Sequence, residues 1–191
     1  MPFAVTAETQ TSGRGRSGKS WQSPTGGAWL SVAWPIVGMA QRYARVPLVA
    51  ASSVYQAIIP LLKPGFEVRI KWPNDILIDG KKVCGVLCEQ QFAPVPAVVI
   101  GIGINVNVDP MVLGRDLRLP ATSLHLHSNQ PLTIDAMLDR VIASLDESLQ
   151  ALERLDLNDP QRRAIEADPR WLDFSPDELR EAEAMPNRSS S

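Results

Sequence analysis

The sequence predicts an α+β domain, a mixed but mainly antiparallel sheet with helices packed on one face. Three observations predict it. Period-two stretches cluster between two helical ones, an Asp-Gly turn joins two of those stretches, and a late helix carries a single apolar stripe. The chain has 191 residues, of which 45% are hydrophobic, enough for one domain with a real core.

In chain order, "FAVTAE" (3–8) predicts a short strand that feeds a loop over 10–28, rich in Gly, Ser, Thr and Arg. "AWLSVAW" (28–34) reads as a strand. A helix is expected from Pro47, where proline suits the first turn, with Val49, Ser53, Gln56 and Ala57 in helical spacing and "KPG" (63–65) ending it. "EVRIKW" (67–72) alternates, and residues 75–89 predict a hairpin turning at Asp79-Gly80. "AVVIGIGINVNV" (97–108) predicts a buried strand in which Gly101 and Gly103 let a backbone or a ligand come close. Thr133-Ile134-Asp135 opens a helix whose apolar stripe is Ala136, Leu138, Val141, Ile142, Leu145, Leu149 and Leu152. Beyond Asn158, proline breaks and acidic clusters leave room for a short helix at 176–184 and an expected disordered end.

A net charge of −2 gives no general pull toward nucleic acid or an anionic membrane. Near the N-terminus the positive charge gathers at Arg14, Arg16 and Lys19, which points to a local anion site. No apolar run approaches the roughly 18 residues a membrane span needs, and "MPFAVTAETQ" lacks the marks of a signal peptide. The expected location is therefore cytoplasmic. Cys84 and Cys88, on one strand, lie about 13 Å apart at ~3.3 Å per residue, too far to bridge, and are expected as reduced, buried thiols. His125 and His127 in "HLH" read as a solvated strand face rather than a metal site, and no metal ligands are assigned.

Residues 11–21, "TSGRGRSGKSW", satisfy both the G-x-x-x-x-G-K-S and the G-x-G-x-x-G patterns. Either nucleotide-binding loop needs a helix immediately afterwards, because the helix N-terminus holds the phosphate. The residues that follow are "WQSPTGGAW", and Pro24, Gly26 and Gly27 forbid such a helix. Both matches are accidents of pattern. Two arginines flanking a glycine can still fold over a carboxylate or phosphate, the alternative being a solvated basic loop.

Three blocks then occur in order: "GRGRSGKSWQSPTGGAWLSV", "VRIKWPNDILIDGKKVCGVLCE" and "VIGIGINVN". Together they resemble the catalytic domain of the biotin–protein ligases, in the biotin/lipoate ligase family, with Lys19 where an arginine is usual. The resemblance implies a fold like that of class II aminoacyl-tRNA synthetases and biotin ligases. It implies ATP-dependent activation of biotin to biotinoyl-5′-AMP, with Mg²⁺ held mainly by phosphate and water, and transfer to a lysine of a biotin carboxyl carrier domain of acetyl-CoA carboxylase. Such chemistry needs no enzyme nucleophile. It needs positive charge in a dry site that brings two anions together.

By the same resemblance Arg14, Gly15 and Arg16 form a loop over biotin and the adenylate, and Gln10 lies near the biotin ring. Lys71 is expected to contact the biotin carboxylate and the α-phosphate as the main catalytic cation. Gly101 and Gly103 admit the ligand to the sheet, and Asn105 lies near the adenylate. Trp21 either packs on the ligand side of the loop or is a core tryptophan; Asn74 and Asp75 are equally turn residues. Lys82 matches a family lysine, or is a surface lysine flanking the hairpin.

Against the family pattern, the segment with a Ser/Thr-Thr-Asn stretch that precedes "AETQT" is not seen, nor is an SH3-like set of strands after Asn158. The expectation is a catalytic domain over 1–157, incomplete at its N-terminus, followed by a Pro-rich acidic tail over 158–191. A truncated domain that binds without turnover, and a lipoate-type ligase, are the alternatives. An exposed strand edge leaves a homodimer open.

Overall fold

The computed structural model describes residues 1–35, 44–92, 96–113 and 119–154. The expected tail, with its short helix and disordered end, lies outside the described residues. Among the described residues six strands form one sheet: β1 (Phe3–Ala7), β2 (Gly27–Pro35), β3 (Val68–Lys71), β4 (Asp75–Ile78), β5 (Lys81–Gln91) and β6 (Ala97–Asn105). Their spatial order is β1-β2-β6-β5-β4-β3 and every pairing between them is antiparallel. A parallel bridge, Lys82 to Ala121, is added beside β5. Among the described residues two α-helices, α1 (Val46–Ile58) and α2 (Ile134–Arg154), pack against each other and on the same sheet face.

The β4–β5 hairpin turns where expected. Asp79 (φ 47°) and Gly80 (φ 73°) are both left-handed, the requirement of a two-residue type I′ turn. Pro47 stands in the first turn of α1 as expected, but Pro60 ends the helix rather than "KPG". A proline at 60 has no N–H to give and would clash with the carbonyl four residues back, so the chain tightens into a 3-10 turn over Ile59–Leu61. In α2, Thr133 Oγ1 accepts from the Ala136 N–H at 3.3 Å and caps the helix. The buried stripe is Met137, Val141, Leu145, Leu149 and Leu152. Ala136 is exposed and Met137 takes its place, because 137 and not 136 lies four residues before Val141.

The core sits between helices and sheet. From β6 it takes Val98, Ile100, Ile102 and Ile104; from β2, Ala28, Leu30, Val32 and Trp34; from β5, Val83, Cys84 and Val86. Trp34 donates to Glu153 at 2.7 Å, tying β2 to the end of α2. Neither cysteine on this side is in a disulfide; burial pushes the Cys84 thiol up strongly and Cys88 up to about 12. Among the described residues no helix is long and apolar enough to cross a membrane.

Candidate active site

The other face of the sheet is built differently. Following the pairing across it, Ala7, Trp29, Gly103, Gly85, Asp75 and Lys71 form one row, and Val5, Ser31, Gly101 and Leu87 form the next. Three glycines on two neighbouring strands, Gly85, Gly101 and Gly103, leave a trough in this face.

Trp21 lies in that trough. A Cβ on Gly103 would stand 2.6 Å from Trp21 Nε1, and one on Gly85 would stand 3.0 Å from the same indole. Gly101 is free of such pressure, since its nearest neighbours would be Leu87 atoms at 3.6 and 3.8 Å. The glycines thus serve two purposes: Gly85 and Gly103 seat the indole, and Gly101 leaves the face open beside it. Trp21 also meets Trp29 edge-on, with ring centroids 6.3 Å apart. Its place is on the loop side of the sheet, where it also packs against the small cluster of Trp29, Val108 and Leu113.

The loop carrying Trp21 folds as a tight hairpin. Trp21 donates to the Gly13 carbonyl at 2.9 Å and Gly15 to the Lys19 carbonyl at 2.7 Å; Ser17 and Gly18 turn the tip in the left-handed region. No helix follows Lys19-Ser20, so neither phosphate-loop pattern has the geometry it needs. The hairpin lies across the sheet face at two points. Arg14 Nη2 is 2.8 Å from Glu89 Oε2 on β5, and Arg16 Nη1 donates to Asn74 Oδ1 at 3.3 Å in the β3–β4 turn. Asn74 is anchored in turn, its Nδ2 donating to the Val86 carbonyl at 2.6 Å. At the loop's base Gln10 Oε1 accepts from Ser23 Oγ at 2.6 Å. A cavity of about 380 Å³ opens there, lined by Gln10, Gly13, Trp21, Ser23 and their neighbours.

Lys82 is the residue that sequence reasoning undervalued. Its Nζ is 2.6 Å from Asp75 Oδ1 and 5.0 Å from the centre of the Trp21 ring, with both ion-pair partners largely shielded. The register explains the placement. Ile76 pairs with Cys84 but Leu77 pairs with Lys82, so Val83 is an extra residue on β5. That bulge lets Val83 and Cys84 both enter the core and turns Lys82 onto the trough beside Gly85. Lys71, half-buried at the end of β3, is the cross-strand neighbour of Asp75, in the same row as the Lys82–Asp75 ion pair. Asn105 is buried at the end of β6, with its Nδ2 donating to the Thr122 carbonyl at 3.0 Å.

Two buried polar atoms here have no partner among the described residues: Trp21 Nε1, a donor, and Asn105 Oδ1, an acceptor. Buried groups left so are uncommon and costly.

The histidines differ from expectation. Leu124–Leu126 is a 3-10 turn, not a strand, so the two rings do not share a face. His125 is exposed, whereas His127 is buried edge-on against Phe66, with centroids 4.6 Å apart. Burial holds His127 below the usual imidazole range, with Lys81, Lys63 and His125 acting in the same direction and Asp79 against it.

Residues 1–105 match the model of the biotin/lipoate A/B protein ligase family. The chain belongs to that family. It is 37% identical over 147 residues to the bifunctional ligase/repressor BirA of Bacillus subtilis (strain 168), covering 75% of this chain and 44% of that protein. It is 38% identical over 121 residues to the biotin–[acetyl-CoA-carboxylase] ligase of Mycobacterium tuberculosis, covering 62% of this chain and 43% of that one. The chain thus spans less than half the length of these relatives. Among solved structures of the family, the biotin protein ligase of Leishmania major in complex with biotinyl-5-AMP superposes with a TM-score of 0.65 at 25% identity, over 83% of this chain and 74% of that one. The Aquifex aeolicus biotin protein ligase in complex with biotin and ATP gives a TM-score of 0.61 at 28% identity, over 79% and 62%. The fold is that of the biotin protein ligases.

Proposed function

We propose that this chain is the catalytic part of a biotin–protein ligase, with residues 1–157 forming the catalytic domain and 158–191 a Pro-rich acidic tail. The observation that carries the proposal is convergence. The stretches Gln10–Trp21, Lys71–Gly85 and Gly101–Asn105, far apart in sequence, meet on one sheet face with two lysines, two arginines and two unpartnered buried polar atoms.

A carboxylate oxygen of biotin attacks the α-phosphorus of ATP and pyrophosphate leaves, giving biotinoyl-5′-AMP. An acceptor lysine amine then attacks the acyl carbon, and AMP leaves with the biotin amide formed. In the first step two anions must meet, so fixed positive charge lowers the barrier most. Lys82, pinned beside Gly85 by Asp75, and Lys71 on β3, one strand beyond Asp75, supply it from the sheet, while Arg14 and Arg16 supply it from the loop above, with Gly15 between them. The trough at Gly101 takes the acyl chain, Gly103 seats the indole, and Gln10 stands toward the biotin ring. Trp21 and Asn105 face the nucleotide, with Nε1–H and Oδ1 left to bond it. Mg²⁺, held mainly by the phosphates and water rather than by these side chains, would supply further positive charge for the pyrophosphate leaving group. The acceptor is a biotin carboxyl carrier domain, as the names of the acetyl-CoA-carboxylase ligases suggest, and the reaction is placed in the cytoplasm.

The test is incubation of the purified chain with biotin, Mg²⁺ and ATP labelled at the α-phosphate. A biotin-dependent acyl-adenylate is expected. A lipoate-dependent adenylate in its place would move the assignment within the family, and no adenylate from a folded chain would overturn it.

A further inference from the structure

Thr122 is joined to the proposed site at three atoms. Its N–H donates to the Lys82 carbonyl at 2.8 Å, and its own carbonyl accepts from Asn105 Nδ2 at 3.0 Å. Its Oγ1 lies 2.7 Å from His127 Nε2, and Thr122 and His127 are both buried. One residue therefore touches the strand segment that presents the buried cation and the side chain that faces the nucleotide. Nothing in the mechanism above uses it.

The backbone of His127 is anchored, and its ring is also packed. Phe66 packs on it edge-on, and its main chain accepts from the Lys63 N–H and donates to the Leu124 carbonyl, both at 2.9 Å. Its Nδ1 is buried and has no partner among the described residues. An unpartnered ring nitrogen costs less as a bare lone pair than as an N–H, so the favoured form carries its proton on Nε2 and donates it to Thr122 Oγ1. Protonation would place a second N–H at Nδ1, buried and without an acceptor, and would drive the ring away from Thr122 toward water.

Resting on the biotin-ligase reading, we propose that His127 and Thr122 form a strut that positions Asn105 and Lys82 at the nucleotide end of the site. They are positioning residues, reaching neither biotin nor ATP. The strut is also a proton-sensitive element. The charged and titratable groups around His127 are Asp79 and Lys81 of the β4–β5 hairpin, Lys63 after α1, and His125 of its own turn. Burial disfavours its protonation most, Asp79 opposes this, and Lys81, Lys63 and His125 add to burial, so the strut stays closed at neutral pH and opens below the ordinary imidazole range of about 6.5.

The experiment measures KM for ATP and for biotin separately from pH 5.5 to 8 in the full chain and in Thr122→Val, Thr122→Ser and His127→Gln. Thr122→Val should raise KM for ATP about three- to tenfold with KM for biotin little changed, the effect of one lost buried hydrogen bond. Thr122→Ser, which keeps the hydroxyl, should restore it. Wild type should show the same rise on acidification, and His127→Gln, which keeps a donor but cannot titrate, should not. Equal rises in both KM values, or no rescue by serine, would overturn the proposal in favour of a merely structural role. Should the wild-type chain form no adenylate, the function reading fails separately, and the strut is read without substrate from exchange protection of the Asn105 side-chain amide. That protection should fall in Thr122→Val and at low pH; unchanged protection would overturn the strut itself.

Discussion

On β6, Val98, Ile100, Ile102 and Ile104 point to the helices and are shut off from water, whereas Gly101, Gly103 and Asn105, one residue out of step, face the loop. The same strand therefore serves two ends. Branched side chains stand where burial stabilises the fold, and the side chain is missing where an indole and a ligand need the space. On β5 the division is kept by a bulge: Val83 and Cys84 both go to the core, and Lys82 goes to the trough. Strand alternation separates stability from chemistry, so each can be broken without the other.

The largest expected effect is on the helix side. Leu145→Ala, at a fully packed position of α2, should cost about 2–5 kcal/mol of unfolding free energy in a denaturant titration. Adenylation per folded molecule should stay near wild type. Next comes the trough side, where Lys82→Ala should slow adenylate formation about 10²–10³-fold. Because that change strands the shielded Asp75 carboxylate, the Tm should also fall; adding Asp75→Asn should recover the Tm and leave the rate low.

A smaller effect sharpens the contrast between the two β6 glycines. Gly103→Ala would push the Trp21 indole off its seat and should weaken nucleotide affinity about tenfold, roughly 1.4 kcal/mol by calorimetry. Gly101→Ala meets only ordinary contacts in the free protein, so it should leave the Tm unchanged and act on biotin alone. The smallest effect concerns pH. His127 is held below its ordinary value, so the unfolded chain takes up the proton first as the medium is acidified. Its stability contribution is complete above about pH 6.5 and is lost as pH falls toward the folded value. The Tm of wild type should therefore drop more steeply below that point than the Tm of His127→Gln.

The sheet and both helices were legible because their cues are local: the period of two, the Asp79-Gly80 turn, and the α2 stripe. The hairpin's register was not. Counting by twos from Gly85 puts Val83 on the trough and Lys82 in the core, and only the bulge reverses them. The preference for Lys71 as the principal cation came instead from the family resemblance, which left Lys82 open as a surface lysine flanking the hairpin. Trp21 was seen but not placed, since the cradle of Gly85 and Gly103 comes from strands more than sixty residues away. Thr122 left no sequence signal, because its three partners come from three different segments. His125 and His127 were misplaced by treating "HLH" as extended chain, whereas backbone bonds to Val106 and within the segment wind it into a turn.

The most direct test of the two-faced sheet is a titration of the chain with a non-hydrolysable biotinoyl-AMP analogue, followed by NMR. Trp21→Phe assigns the Trp21 indole N–H among the five tryptophans of the chain. That resonance, with the Gly101 and Gly103 amides, should shift to saturation while the Ile100 and Ile102 methyls on the helix side hold still. Shifts centred on those methyls, or none at saturating analogue, would contradict the account.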